Sequence, residues 1–164
     1  MYKELKKIID KSRRIVFFGG AGVSTESGVP DFRSENGLYS AMKTYNHSPE
    51  EMLSYSFFRS HTDTFFDYYK NSLIYADVKP NNAHLALAEL EKQGRLSAVI
   101  TQNIDGLHQM AGSNRVLELH GSVMRNYCMD CGELYDLSYI MDEKNCRDEK
   151  GQTTKIPRCE RCGG

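Results

Sequence analysis

At 164 residues the chain is long enough for one full domain or parts of two. Its 21 basic and 22 acidic residues balance, so nothing in the charge favours nucleic acid, and no stretch approaches the roughly 20 apolar residues of a membrane span. Residues 1–14, MYKELKKIIDKSRR, are charged throughout and lack the apolar core of a secretion signal, which makes a cytoplasmic location the default expectation.

In chain order, residues 2–13 read as a helix with Leu5, Ile8 and Ile9 on one face. The continuous apolar run 15–19 reads as a buried strand. Ser48 caps a second helix, Pro49 takes its first position, Glu51 completes a capping box, and Met52, Leu53 and Phe57 follow at helical spacing. A third helix starts at Thr62 and carries Phe65, Phe66, Tyr69 and Leu73. Asn81 or Asn82 caps a fourth over 83–93, which Gly94 stops. Residues 97–100 form the next strand, a short helix ends near Gly112, and strand 116–119 delivers His120 and Gly121. Strands separated by helices predict an α/β fold whose parallel sheet is built with crossovers. Beyond Ser122, cysteine pairs and the polar run DEKNCRDEKGQTTK replace this alternation, which marks a module boundary.

The most informative stretch is 19–39, GGAGVSTESGVPDFRSENGLY. Gly20, Ala21 and Gly22 follow a strand, and small residues let a backbone approach a phosphate closely. Asp31, Phe32 and Arg33 lie in a charged, aromatic-bearing loop of the kind that closes over a nucleotide. Gly20-x-Gly22 opens like a dinucleotide fingerprint, but Thr25 stands where the third glycine belongs, so a plain turn explains the glycines alone equally well. Ser24, Thr25, Glu26 and Ser27 suit either helix capping or phosphate binding. Gln102-Asn103-Ile104-Asp105 caps the next helix or recognises a carboxamide or ribose. His120 has a side chain able to take a proton near physiological pH. All three polar clusters sit just past strand ends, where parallel sheets bind ligands. His47, His61, His84 and His108 read as structural or surface residues, with packing or capping expected for His84 and His108.

Cys128-Met129-Asp130-Cys131 and Cys159-Glu160-Arg161-Cys162 are two C-x-x-C knuckles, separated by the 27 residues 132–158. The gap exceeds that of an ordinary zinc ribbon, and the polar sequence within it reads as an inserted loop. Four thiolates close the coordination sphere of Zn²⁺, which makes such a site structural, with a net charge of −2 that Arg125, Arg158 and Arg161 are near enough in sequence to offset. Cys146 is spare and sits in the polar loop. A redox C-x-x-C fits less well, since two pairs occur and neither opens a helix after a strand.

GAGVSTESGVPDFR (20–33), TQNIDGLHQ (101–109), LHGS (119–122) and the two cysteine pairs, in this order, resemble the sirtuins, NAD-dependent protein lysine deacylases. The resemblance implies an incomplete Rossmann-like parallel sheet with an inserted helical module and a small zinc-ribbon domain. Residues 1–33 and 80–122 would form the NAD-binding part, 34–79 the cofactor loop and helical module, and 123–164 the zinc ribbon. It implies NAD contacts at Gly20, Ala21, Gly22, Thr25, Asp31, Phe32 and Arg33, and ribose and nicotinamide pockets at Gln102, Asn103, Ile104 and Asp105. His120 would be the general base, with Asn103 a second catalytic residue, and Cys128, Cys131, Cys159 and Cys162 would hold one structural zinc. NAD would be a co-substrate and acetylated-lysine proteins the partners. Nicotinamide leaves, and the acyl group passes from lysine to ADP-ribose. Relatives that prefer succinyl-lysine carry a Tyr-x-x-Arg pair, and the corresponding segment Phe65–Lys70 lacks the arginine, which implies a preference for acetyl.

The sequence stops at Gly164, directly after the second knuckle, where sirtuin sequences run on into further strands. Half a parallel sheet leaves edges unpaired and apolar faces open, so a fragment or truncated form with poor stability and little or no activity of its own is expected. The alternative reading is a non-catalytic, zinc-stabilised module that binds ADP-ribose or a protein. An ordinary nicotinamide dehydrogenase is disfavoured by Thr25 and by the lack of an acidic residue ending a second strand about 20 residues on.

Overall fold

The computed structural model describes residues 2–31, 41–75 and 77–164. Its elements are α1 (Tyr2–Lys11), β1 (Ile15–Gly19), α2 (Ala41–Tyr45), α3 (Pro49–Met52), α4 (Tyr55–Ser60), α5 (Thr62–Tyr68), α6 (Asn82–Lys92), β2 (Leu96–Thr101), α7 (Leu107–Met110), β3 (Val116–Glu118), β4 (Asn126–Tyr127), β5 (Leu134–Tyr135) and α8 (Leu137–Met141). Single 3-10 turns cover Ala21–Val23 and Thr25–Ser27, and a π-helical turn, Tyr69–Leu73, continues α5. The chain divides into two compact units, Met1–Val29 with Asp77–Gly121, and Pro30–Ala76 with Ser122–Gly164.

The first unit is α/β, as its alternating pattern requires. Its sheet is parallel in the order β1-β2-β3, with Gly19 opposite Thr101 and Thr101 opposite Glu118. The three strands therefore end level. Helix α6 packs on β2, and Leu96, Val99 and Leu107 are buried there. Successive strand residues point to opposite faces. On the far face Val16, Phe18 and Leu117 are 56%, 61% and 52% exposed. The expectation of a buried β1 is thus half corrected: apolar residues occupy both faces, but among the described residues only one face is covered.

Helix α6 begins with a reciprocal cap. The Asn81 side chain accepts the Ala83 N–H at 2.9 Å, and His84 Nδ1 accepts the Asn81 N–H at 3.3 Å. Expected at Ser48 instead, the full box is only half made there. Ser48 Oγ accepts the Glu51 N–H at 3.1 Å, while the Glu51 carboxylate meets His47 Nδ1 at 3.0 Å. The helix expected from Ser48 through Phe57 is also two helices. Ser54 Oγ accepts the Phe57 N–H at 3.2 Å and starts α4 afresh, so Met52 and Phe57 are buried and Leu53 is left exposed.

The second unit joins the helical segment to the cysteine segment through one core. Tyr135, Ile140 and Cys159 pack against Phe66 and Tyr69. Asp67 accepts from Lys155 Nζ at 2.6 Å and from the Tyr45 hydroxyl at 2.9 Å, and the Tyr69 hydroxyl donates to Asn126 at 3.1 Å. Cys146, read as a spare thiol in a polar loop, is in fact buried, with Lys70 Nζ 3.0 Å from its sulfur. The polar loop folds back over it: Arg147 bridges Thr153, and the Thr154 N–H donates to the Cys146 carbonyl at 2.7 Å. A free cysteine packs as a small apolar residue, which favours this placement.

Candidate functional site

Level strand ends bring all three polar clusters of the first unit to one edge. After β1 the chain turns through Gly20, Ala21 and Gly22 into Ser24. After β2 come Gln102, Asn103, Ile104 and Asp105, and after β3 comes His120. A Cβ on Gly20 would stand 3.3 Å from Gln102 Oε1, a tight contact that the end of the Gln102 side chain would have to yield to. The Gln102 N–H donates to the Gly19 carbonyl at 3.0 Å, which ties the first two clusters together.

Ser24 is the hub. It is fully buried, and its hydroxyl donates to Asp105 Oδ2 at 2.7 Å and accepts from Asn103 Nδ2 at 2.9 Å. His84 Nε2 lies 3.4 Å away. Because His84 Nδ1 accepts the Asn81 N–H, the neutral ring carries its proton on Nε2 and donates to Ser24. One donated and two accepted bonds fill the hydroxyl's capacity. Asn103 Nδ2 also reaches Asp105 Oδ2 at 3.1 Å, and Asp105 Oδ1 accepts the Leu107 N–H at 2.9 Å, capping α7. The Asn103 N–H donates to the buried Thr101 hydroxyl at 3.0 Å. Asn81 adds bonds from its side-chain nitrogen to the Val23 carbonyl at 2.8 Å and to Ser27 Oγ at 3.0 Å.

Beneath the hub, His108 is buried with its ring 4.7 Å from His84 and 5.8 Å from Phe17. Burial pushes both histidines below the ordinary imidazole pKa. For His108 the neighbouring His84 adds to the shift, while Asp105 opposes it for both. His120 is exposed, with Nδ1 3.1 Å from the Gln102 carbonyl. A carbonyl only accepts, so Nδ1 bears the proton and Nε2 presents a free lone pair.

Of the residues singled out for a nucleotide, Gly20, Ala21, Gly22, Thr25, Gln102, Asn103, Ile104, Asp105 and His120 thus share one edge. Asp31 belongs to the second unit, and Phe32 and Arg33 lie outside the described residues, as does most of the expected cover. Sequence reading placed His84 in packing or capping, and it does cap α6. Its second contact, to Ser24, went unread, since 60 positions separate the two residues; Asn81-x-x-His84, a cap residue with a polar side chain three positions on, signals only the cap.

In the second unit the sulfurs of Cys128, Cys131, Cys159 and Cys162 all lie within 4.8 Å of one another. Cys128 and Cys162 are 3.5 Å apart, Cys131 and Cys159 3.6 Å. Tetrahedral zinc with Zn–S of about 2.3 Å sets sulfurs about 3.8 Å apart, so the donor set fits this ion. Both knuckles are built alike. The Gly132 N–H donates to the Cys128 carbonyl at 3.0 Å and the Gly163 N–H to the Cys159 carbonyl at 2.8 Å, and both glycines have positive φ, +72° and +79°. Sequence reading missed these two glycines, although each directly follows its pair. Arg161, expected to offset the thiolate charge, pairs with Glu133 at 2.6 Å. The Tyr135 hydroxyl, 3.1 Å from Cys159 Sγ, is the main cause of that thiol's lowered pKa.

The chain is 58% identical over 161 residues to the NAD-dependent protein deacetylase of Clostridium acetobutylicum, covering 98% of this chain and 62% of the relative. Against the enzyme of the same name from Clostridium tetani it is 59% identical over 162 residues, covering 99% and 62%. It thus spans about 62% of the length of these curated relatives. Among solved structures, one described as the structural basis of sirtuin substrate affinity superposes with a TM-score of 0.81 at 38% identity, over 100% of this chain and 62% of the other. A Sir2 structure with a p53 peptide and NAD+ superposes with a TM-score of 0.78 at 36% identity, over 100% and 61%. The Sir2 family model matches residues 20–164, and the chain belongs to the Sir2 family.

Proposed function

We propose that this chain carries the nicotinamide- and ribose-handling side of an NAD-dependent protein lysine deacetylase, acting on acetylated-lysine proteins and releasing nicotinamide and O-acetyl-ADP-ribose. The observation that carries this reading is the Ser24–Asn103–Asp105–His84 network at the same strand edge as His120. It spends the hydroxyl, carboxylate and amide on one another, so Asn103 and Asp105 are held rigidly where a substrate meets them. Bound NAD supplies an electrophilic ribose carbon once nicotinamide departs. Gly20 to Gly22 and Thr25 line the turn that admits phosphate. Gln102, Asn103, Ile104 and Asp105 line the ribose and nicotinamide side. His120, with Nδ1 fixed by the Gln102 carbonyl, takes a proton from a ribose hydroxyl at Nε2. Cys128, Cys131, Cys159 and Cys162 hold a structural zinc with no open position. Thiols kept for a metal belong to a reducing compartment, which supports a cytoplasmic location. No helix among the described residues is long and apolar enough to cross a membrane.

The test is nicotinamide release and O-acetyl-ADP-ribose formation from NAD and an acetylated peptide, by this chain fused to the part of the Clostridium acetobutylicum relative that it does not cover, since little activity is expected of the chain alone. Formation of O-acetyl-ADP-ribose that is abolished by His120→Ala, while ADP-ribose still binds, is the expected outcome. Binding of ADP-ribose with no nicotinamide release by the unmutated fusion would replace this reading with a binding module. Faster turnover of a succinylated than of an acetylated peptide would overturn the acetyl preference.

A further inference from the structure

Tyr135 is a buried polar residue of the second unit. It lies on the return strand of the β4–β5 hairpin, whose loop carries Cys128 and Cys131. Strand alternation leaves Leu134 53% exposed and turns Tyr135 in, to 8%. Its ring stacks on Tyr139, with centroids 4.0 Å apart and planes at 28°. Tyr139 is itself fixed by its hydroxyl, which donates to the Arg158 carbonyl at 2.8 Å. The ring is thereby held so that its hydroxyl meets Cys159 Sγ at 3.1 Å, and Cys159 is the buried member of the four cysteines. Main-chain N–H groups face the first cysteine of both knuckles, with that of Asp130 3.4 Å from Cys128 Sγ and those of Arg161 and Cys162 toward Cys159, and the phenol is the side-chain donor added at Cys159.

We propose that Tyr135 is a positioning residue for the metal: its hydroxyl donates to the Cys159 thiolate, fixes that sulfur as a ligand and slows loss of the ion. A ligating thiolate has no proton to give, so in the loaded site the tyrosine is the donor. Four thiolates around one divalent ion carry net negative charge, and the nearby Arg161 is committed to Glu133. A phenolic donor on the most enclosed sulfur spreads part of that charge where water does not reach, as hydrogen-bond partners of metal ligands generally do.

The inference rests on reading the four cysteines as a zinc site, and the zinc content of the unmutated full chain tests that reading separately, with one ion per chain expected. Tyr135→Phe keeps the ring and removes only the donor. In competition with a chromophoric chelator it should bind zinc about tenfold more weakly and release it faster, in line with the 10–100-fold effects of such partners. Iodoacetamide followed by mass spectrometry should show Cys159 as the cysteine whose labelling accelerates most. Tyr75→Phe, which loses a hydroxyl bonded to the Ser72 carbonyl at 2.9 Å, should bind zinc as the unmutated chain does. Equal zinc affinity for Tyr135→Phe and the unmutated chain overturns the proposal, and so does equal weakening by Tyr75→Phe, which would mark a general loss of stability. The cadmium-substituted unmutated chain needs no variant. Its NMR spectrum should show coupling between the metal and the Tyr135 hydroxyl proton, and an observed hydroxyl proton without that coupling refutes the bond.

Discussion

Replacing Ser24 by alanine removes one hydroxyl from a fully buried position and strips three groups of a partner at once. Asp105 Oδ2 loses its 2.7 Å bond and keeps only the longer one from Asn103, at 3.1 Å. A hydrogen bond to a charged group contributes about 1.5–3 kcal/mol. The His84 Nε2–H is left buried without an acceptor, a loss of about 1–3 kcal/mol. The alanine methyl fits the space of the hydroxyl, so no cavity term is added, and a total of about 2.5–6 kcal/mol follows. For a chain of this length each kcal/mol moves Tm by about 2–4 °C, which gives a drop of at least about 5 °C. The assay is thermal unfolding followed by circular dichroism at pH 7.5, with Thr25→Ala as the comparison. Thr25 is exposed and, among the described residues, its hydroxyl bonds only to the Gly22 carbonyl at 3.0 Å, so its loss should cost no more than about 0.5 kcal/mol. Nicotinamide release by Ser24→Ala, measured well below its Tm, should fall as well, because Asn103 and Asp105 are no longer held. A Ser24→Ala chain that melts within 1–2 °C of the unmutated one would refute the hub role, since a buried His84 N–H without an acceptor and a weakened Asp105 cannot be that cheap.

Two further outcomes follow from groups already described. Burial holds His84 and His108 below the ordinary value of 6.5, so the unfolded chain takes up protons near that pH while the folded chain does not. Stability should therefore be level at higher pH and fall as pH drops through about 6.5 toward the depressed folded values. Urea midpoints between pH 5 and 8 check this, and a midpoint that rises on acidification contradicts the burial of the pair. Zinc removal should unfold the second unit, because binding of structural zinc contributes about 10–16 kcal/mol, as much as a whole domain's stability. The expected signature is loss of the near-ultraviolet dichroism of the Tyr135–Tyr139 stack on chelation, and an unchanged spectrum with metal demonstrably gone would contradict it.

What the sequence made legible is local or periodic. Apolar runs and caps located the three strands and α6, and equal spacing made the cysteine quartet visible, because a C-x-x-C knuckle is a short-range pattern. The coincidence of Gly20, Asn103 and His120 was also within reach, since parallel strands that end level place their exits together whatever their separation in the chain. The losses all involve choices between partners. Ser48 and Glu51 carry the residue types of a reciprocal cap, yet Glu51 meets His47, while Asn81 and His84 make that cap with a residue type not expected at the third position. Ser24 showed the same ambiguity: a serine after a glycine turn can cap, bind phosphate or bury itself. Its burial is decided by one acceptor and two donors about 60 and 80 positions away, with no sequence spacing to announce them. That is also why the polar core of the first unit was only partly read. Packing or capping was expected of His84 and His108, but not that Ser24 and Thr101 would be buried beside them. Hydrogen bonds serve Ser24, His84 and Thr101, whereas His108 is held by ring contacts with His84 and Phe17, and neither of its ring nitrogens has a partner among the described residues.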